Sequence, residues 1–336
     1  MKPTKIAING FGRIGRSFFR AAFGRPDFDI IAINDLTDAA TLAYLLKYDS
    51  VYGRYTKSVN KTDTSLVVDD VEIPVLAEKD PAKLPWGKLG VDIVVESTGF
   101  FTSSDKARAH IDSGARRVVI TAPASGDVVT ALVGVNDDRF KTAGPMTCNA
   151  SCTTNSVAPV MAILMETLGV KKAGMITAHG YTATQKLVDA SDERDPRRGR
   201  AAAINIVPST TGAAEAVVQA IPELNGKFDA VAIRVPTITG SLSVVTALVE
   251  KKTDPDAVNN IFRKAADEPR WSKILKVTED PIVSTDVIGE PYGAIIDAAL
   301  TKVIDGDLVK IFSWYDNEAG YTATLVEHIR RIALVL

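Results

Sequence analysis

Lys5-Ile6-Ala7-Ile8-Asn9-Gly10-Phe11-Gly12-Arg13-Ile14-Gly15 is the stretch that decides the fold. Its first half reads as a buried strand, and Gly10, Gly12 and Gly15 form a G-x-G-x-x-G turn directly after it. A helical pattern follows through Phe18, Phe19 and Ala22, and Phe28-Asp29-Ile30-Ile31-Ala32-Ile33 reads as a second strand ending in Asn34-Asp35. That acid falls about twenty residues beyond the last glycine. Strand, glycine turn, helix, strand and acid is the order of a dinucleotide-binding fold. The glycines serve a tight turn, close approach of backbone to pyrophosphate, and helix–strand packing, while the helix N-terminus faces the phosphates. A lone G-x-G-x-x-G is weak; in this setting it predicts a bound dinucleotide.

Outward from there, short apolar runs keep alternating with helical patterns to about residue 151. Asp92-Ile93-Val94-Val95 reads as strand, 104–113 as helix and Arg117-Val118-Val119-Ile120-Thr121 as strand, which argues a parallel sheet with helices on both faces. From about Lys171 longer β-rich runs appear, at 230–234, 242–251 and 308–315. The expected class is α/β: a Rossmann-type dinucleotide-binding domain, then an α+β domain with a large mixed sheet. The expected boundaries are 1–151 with a C-terminal helix at 318–336 for the first domain, and 152–317 for the second.

The chemistry-bearing stretch is Asn149-Ala150-Ser151-Cys152-Thr153-Thr154-Asn155. The apolar run at 157–168 carries Pro159 early and then reads as helix, so Cys152 sits at or just before a helix N-terminus. Unsatisfied N–H groups and the macrodipole favour an anion there. A cysteine so placed is expected to have its pKa lowered well below about 8.5. The alternative is a small buried hydrophobe, since free cysteine is often core. Thr177-Ala178-His179-Gly180-Tyr181 follows Met175-Ile176, a short strand run, and puts His179 where strand gives way to loop. A lone histidine is more often a structural hydrogen-bonder; a cysteine at a helix start with a histidine at a strand end is a candidate nucleophile–base pair. Spacing alone does not make them touch. His110, with Lys106 and Arg108 beside it on a helix, reads as solvated surface, and Cys148 as inert packing at the end of a buried strand.

Length and composition bound the rest. The chain has 336 residues, 46% hydrophobic and 24% charged, enough for two ordinary soluble domains. With 39 basic and 41 acidic residues the net charge is −2, so neither nucleic acid nor a membrane surface is an expected partner. The uncharged stretch 142–165 is broken by Thr, Ser, Asn and Pro and is too short in its apolar part to span a bilayer. Met1-Lys2-Pro3-Thr4 leads straight into the first strand, leaving no room for a signal peptide, and two cysteines make no disulfide framework. A cytoplasmic protein is expected. No metal motif appears.

Taken together these segments resemble phosphorylating glyceraldehyde-3-phosphate dehydrogenases, essentially end to end. Further markers are Asn34-Asp35-Leu36-Thr37-Asp38, Leu45-Leu46-Lys47-Tyr48-Asp49-Ser50, Glu96-Ser97-Thr98-Gly99, Pro222-Glu223-Leu224-Asn225-Gly226-Lys227, Arg234-Val235-Pro236-Thr237 and Trp314-Tyr315-Asp316-Asn317-Glu318. The resemblance implies oxidation of glyceraldehyde 3-phosphate with inorganic phosphate and NAD, a glycolytic reaction, in a homotetramer. It implies Cys152 as nucleophile and His179 as base. Thr182, Arg234 and Arg198 match the anion sites, with Arg198 in a loop of different length; Ser151, Thr153, Thr211 and Gly212 match the site of the attacking phosphate. Asn317 matches the residue that fixes the nicotinamide carboxamide, and Tyr321 the ring beside it. Arg13 and Ile14 match positions flanking pyrophosphate and adenine; Lys79 and Thr121 match less specific cofactor contacts. The last helix is implied to return to the first domain. Asp35 is expected to accept from the adenosine ribose and repel a 2′-phosphate, favouring NAD. Asp189-Ala190-Ser191 resembles plastid enzymes that use NADP, so a secondary use of NADP stays open. The loop 192–198 is implied to reach a neighbouring subunit. Departures include Ser156 for a frequent second cysteine, Ala319 for a larger residue, and an altered segment at 238–242. An erythrose-4-phosphate dehydrogenase and a binding or scaffold protein with residual catalysis are the other readings. Thr153, Thr211 and Gly212 favour the phosphorylating enzyme over the first, and the complete set of catalytic matches argues against the second.

Overall fold

A computed structural model describes residues 2–193 and 195–336, so Arg194 of the charged loop and Met1 of the N-terminal reading lie outside the described residues. The chain divides into two compact units, one of Met1–Ala131, Asp137–Ala150 and Leu325–Leu336, the other of Leu132–Asn136 and Ser151–Thr324.

In chain order the first unit holds β1 (Thr4–Asn9), α1 (Arg13–Ala22), β2 (Phe28–Asn34), α2 (Ala39–Lys47), β3 (Val59–Lys61), β4 (Ser65–Val68), β5 (Val71–Leu76), α3 (Trp86–Leu89), β6 (Ile93–Glu96), α4 (Ser104–Asp112), β7 (Arg117–Ile120), β8 (Val129–Thr130), α5 (Arg139–Thr142) and β9 (Met146–Cys148). These strands form a nine-stranded sheet in the order β3-β4-β5-β2-β1-β6-β7-β9-β8. From β5 to β8 every pairing is parallel, while β3-β4-β5 is an antiparallel meander. Parallel strands covered on both faces read as continuous apolar runs, and β6 is buried at all four positions. The register sets Asn34, Asn9 and Glu96 side by side at the carboxyl ends of β2, β1 and β6. Ligands of open α/β sheets bind at that edge.

Position 110 corrects the sequence reading: His110 is fully buried. Ser104, Ala107 and His110 recur every three residues and share the inward face of α4, while Lys106 and Arg108 point outward. Cys148 ends β9 fully buried, its sulfur 3.4 Å from Thr130 Oγ1.

The second unit holds α6 (Cys152–Thr167), β10 (Val170–Gly180), β11 (Val207–Ser209), α7 (Ala213–Ala220), β12 (Phe228–Val235), β13 (Ser241–Val249), α8 (Pro255–Asp267), β14 (Leu275–Thr278), β15 (Ala294–Asp297), β16 (Lys302–Ile304), β17 (Leu308–Tyr315) and the start of α9 (Ala319–Ala333). Its sheet runs β11-β12-β10-β13-β17-β15-β14, with β16 also on β17, and mixes parallel with antiparallel pairs. Strict alternation of burial along β13 and β17 leaves one face packed and the other partly open. The helix that follows Cys152 starts at Cys152 itself, so Pro159 is interior to α6 and removes one ladder N–H.

Candidate active site

In the first unit a cavity of about 580 Å³ opens at the carboxyl edge of the parallel strands, lined by Asn9, Gly10, Gly12, Asp35, Lys79 and Thr98 among others. Gly10 has φ 91°, and a Cβ there would meet Thr98 N at 2.7 Å, so only glycine closes this turn. A Cβ on Gly15 would strike Gly10 O, the close helix–strand approach expected of the third glycine. Gly12 is the N-cap of α1, has no side-chain cap bond, and has nothing within 4 Å of its would-be Cβ. The first turn of α1 therefore presents N–H groups to an open space, which suits a pyrophosphate. Asp35 Oδ2 accepts the Phe11 N–H at 2.7 Å and Oδ1 the Thr37 N–H at 2.9 Å. The carboxylate thus braces the glycine turn from the cavity wall. These features fit a dinucleotide. Arg13 is engaged elsewhere, 2.5 Å from Asp49 Oδ2 and over the Tyr52 ring. Ile14 is half-buried on α1, and the Thr121 N–H at the end of β7 donates to Glu96 O.

In the second unit Ser151 caps α6, its Oγ accepting the Thr154 N–H at 3.1 Å, and Cys152 is the first helical residue. Ala150 just ahead has φ 50°, a left-handed conformation that costs a non-glycine residue of order 1 kcal/mol and recurs at functional sites. His179 is the penultimate residue of β10, and its Nε2 lies 3.3 Å from Cys152 Sγ. The parallel pairing of β10 with β12 sets Arg234 directly beside His179. His179 Nδ1 is 2.6 Å from Gly180 O, which also accepts from Arg234 Nη1 at 3.0 Å. A proton on Nδ1, towards that carbonyl, leaves the Nε2 lone pair facing the thiol, the tautomer a base requires; a proton on Nε2 leaves Nδ1 to accept from Arg234 Nη1. Arg234 Nη1 also lies 2.5 Å from Nδ1, so its charge bears directly on the ring.

Electrostatics correct one expectation. Burial pushes the Cys152 thiol up; Arg234, the Thr153 hydroxyl and amide, and the residue's own N–H pull the other way. Burial, then Arg234, pushes His179 down to about 3. The helix end is present, but desolvation outweighs it, because neither charge of an ion pair is well solvated here. Burial therefore favours the neutral form of each group.

Arg234 has no ion pair among the described residues, and burial, ahead of the neighbouring Arg198, lowers its proton affinity against the raising effect of Cys152 and Tyr315. Arg198 donates from Nε and Nη2 to Ser209 Oγ at 2.9 and 2.8 Å. Two guanidiniums near one another with no carboxylate partner among the described residues call for an anion. Thr211 Oγ1 accepts the Ala213 N–H at 3.2 Å, and Gly212 caps α7 without a side chain. Thr182 Oγ1 is 2.9 Å from Thr184 Oγ1. Asn317 is buried, its Oδ1 accepting from Gly240 N–H and Ser241 O–H, each at 3.2 Å, and Tyr321 is buried on α9.

Sequence reasoning missed Tyr315 as a site residue. Its hydroxyl lies between Thr153 Oγ1 (3.0 Å) and Thr177 Oγ1 (2.9 Å), and its ring meets His179 edge-on at 5.9 Å. Burial pushes its phenol up to about 12. The structure alternates 309, 311, 313 and 315 onto the packed face of β17, but the sequence offered no such signal, since Leu308, Phe312 and Trp314 make the opposite face apolar as well.

A glycine-turn cradle and a cysteine–histidine pair flanked by arginines define a class, the dinucleotide-dependent dehydrogenases that work through a cysteine nucleophile. Comparison with known proteins narrows it. Residues 4–104 match the family described as glyceraldehyde 3-phosphate dehydrogenase, NAD binding domain, and residues 151–317 match its C-terminal domain. A glyceraldehyde-3-phosphate dehydrogenase of Thermotoga maritima is 51% identical over 96% of this chain and 97% of its own length. That of Geobacillus stearothermophilus is 48% identical over 98% of both, and that of Streptomyces coelicolor 48% over 96% of both. The chain belongs to the glyceraldehyde 3-phosphate dehydrogenase family, and its cofactor is NAD.

Proposed function

We propose that this protein oxidises D-glyceraldehyde 3-phosphate in the presence of inorganic phosphate to 1,3-bisphosphoglycerate, reducing NAD, through a thioester on Cys152. The observation that carries the reading is the 3.3 Å contact of Cys152 Sγ with His179 Nε2 beside Arg234, which has no ion pair among the described residues. The NAD-binding domain is read as residues 1–151 with 318–336 and the catalytic domain as 152–317; the compact units depart from these bounds at 132–136, 151 and 318–324. Gly10, Gly12, Arg13, Ile14, Gly15, Asp35, Lys79, Thr121, Asn317 and Tyr321 hold the cofactor, which when bound supplies the hydride acceptor.

His179 Nε2 takes the thiol proton as Sγ attacks the aldehyde carbon, and returns it to the forming alkoxide to give a thiohemiacetal. It then takes the hydroxyl proton as the hydride departs, leaving the thioester. Phosphate attacks the thioester carbon and Sγ leaves as thiolate. Splitting one difficult reaction into hydride transfer and acyl transfer is the gain of covalent catalysis. Arg234 with Thr182 and Arg198 binds anionic oxygen of the substrate, and Ser151, Thr153, Thr211 and Gly212 receive the attacking phosphate. Asp35 at the cavity wall favours NAD, with NADP as a secondary cofactor.

A homotetramer accounts for apolar side chains that one chain leaves open. Leu187, Val188, Ile204 and Ile206 are 71–82% exposed, and Ile176 and Val231 stand out from the open sheet face. Two free cysteines accord with a reducing cytoplasm, and among the described residues no helix is long and apolar enough to cross a membrane. The test is formation of reduced nicotinamide from glyceraldehyde 3-phosphate, with and without phosphate. Sustained turnover is expected only with phosphate. Equal rates without it would refute the phosphorylating reaction.

A further inference from the structure

Below the cavity of the first unit runs a chain of buried polar groups that the proposed chemistry leaves unused. Trp86, His110, Glu96, Asn9 and Asn34 are each 5% exposed or less. Trp86 Nε1–H donates to His110 Nδ1 at 3.0 Å. An indole N–H is a donor only, so Nδ1 must offer its lone pair and the ring's N–H lies on Nε2. That N–H is aimed at Glu96 Oε2, 3.1 Å away, which also accepts from Asn9 Nδ2 at 2.5 Å. Glu96 Oε1 accepts the Thr98 N–H at 2.8 Å and its hydroxyl at 2.5 Å. Asn9, oriented in this way, receives Asn34 Nδ2 on its Oδ1 at 2.7 Å. Asn34 in turn exchanges two bonds of 2.9 Å with the Glu78 backbone.

The end of this chain beyond Glu96 arrives at the cavity. Asn9, Asn34, Glu78 and Thr98 all line it, and Thr98 N is the atom against which Gly10 turns. His110 and Trp86 do not face it; they lie on α4 and α3 behind the sheet edge. As a mere core device the arrangement has little to recommend it, because buried ionic groups are often neutral or costly for stability compared with apolar packing. Its geometric consequence is larger. One indole N–H selects a tautomer, the tautomer orients a carboxylate, and the carboxylate fixes the backbone after β6 and the asparagine before the glycine turn.

We propose that His110, held in its Nε2–H tautomer by Trp86, is a positioning residue that acts through Glu96 to set Asn9, Thr98 and the glycine turn for dinucleotide binding. The proposal rests on the NAD reading above and is tested by binding, not by turnover. The full-length protein without cofactor is titrated with NAD by calorimetry, and amide exchange at Thr98 is followed in the same samples. His110→Leu removes the donor to Glu96 and is expected to raise the Kd for NAD about tenfold or more, the worth of a hydrogen bond to a charged group. Exchange at Thr98 should quicken, while kcat at saturating NAD and alkylation of Cys152 stay within about twofold, since no hydrogen bond to the Cys152–His179 pair is lost. His110→Gln can accept from Trp86 and donate to Glu96, and should restore most of the affinity. An unchanged Kd in His110→Leu with only a lowered Tm overturns the proposal, as does a Gln variant no better than Leu. Should His110→Leu fail to fold, Glu96→Gln keeps the shape but sets an amide NH2 against donors on one side or the other; an unchanged Kd there is equally fatal. Absence of binding by the unmodified protein would remove the NAD reading and this proposal with it.

Discussion

Replacing His179 by Asn separates the base from the rest of the site. The shorter amide can keep the contact that Nδ1 makes with Gly180 O, while the nitrogen 3.3 Å from Cys152 Sγ is lost. General-base catalysis is typically worth about 10²–10⁴ in rate, or about 2.7–5.4 kcal/mol of barrier at about 1.36 kcal/mol per decade. Rapid-mixing measurement of the first turnover of reduced nicotinamide reads the step directly. Alkylation by iodoacetamide, an uncharged reagent insensitive to Arg234 and Arg198, reads the thiol alone. Because the imidazole carries no charge at neutral pH, its loss should leave the alkylation profile where it is in the unmodified protein. In the unmodified protein His179 is pushed down to about 3, so it stays unprotonated through neutral pH and adds no acid limb to the first-turnover rate there. A variant with a first turnover within about tenfold of the original would refute the assignment of His179 as base.

Cys152→Ser should abolish oxidation and leave NAD binding intact, and peptide mapping after iodoacetate should find the label on half-open Cys152, not on buried Cys148, whose thiol burial also pushes up; a label chiefly on Cys148 would reassign the reactive thiol. Asp35→Ser should narrow the preference for NAD over NADP in kcat/KM, since a like-charge clash costs several kcal/mol against about 1.5–3 for one hydrogen bond to a charged group. Because Asp35 also accepts the Phe11 N–H, part of the narrowing should come from weaker NAD binding, and equal kcat/KM for the two cofactors in the unmodified protein would reject the argument. His328 is buried, with Nδ1–H to Ala131 O and Nε2 to the Thr147 hydroxyl, and burial pushes it down to about 3. Below its unfolded pKa of about 6.5 the unfolded chain binds the proton that the folded one refuses, so this stability is complete above that pH and falls as pH drops towards about 3, by up to about 1.4 kcal/mol per unit. Urea midpoints that decline no less steeply in His328→Gln than in the unmodified protein would contradict it.

How far these features could be read in advance follows the range of the forces behind them. The glycine turn and its acid were legible because each residue answers to its own backbone: Gly10 needs φ 91°, and β6 is apolar at three successive positions because helices cover both faces. Cys152 and His179 were legible as types, since a helix start and a strand end are local events; their contact depends on how β10 passes α6. His110 was misread for the same reason. Its partners lie 14 and 24 positions away in the chain, and only the three-residue spacing with Ser104 and Ala107 hinted at an inward face. Tyr315 reaches Thr153 across 162 positions, beyond any local pattern. The direction of the thiol's titration was least accessible. A helix N-terminus is a property of one segment and argues for thiolate; desolvation is a property of everything packed around it and argues the other way. Arg234 tilts that balance back towards charge on sulfur while holding charge off the imidazole, which an unpaired basic residue in an apolar strand can do only because the β10–β12 register sets it beside His179.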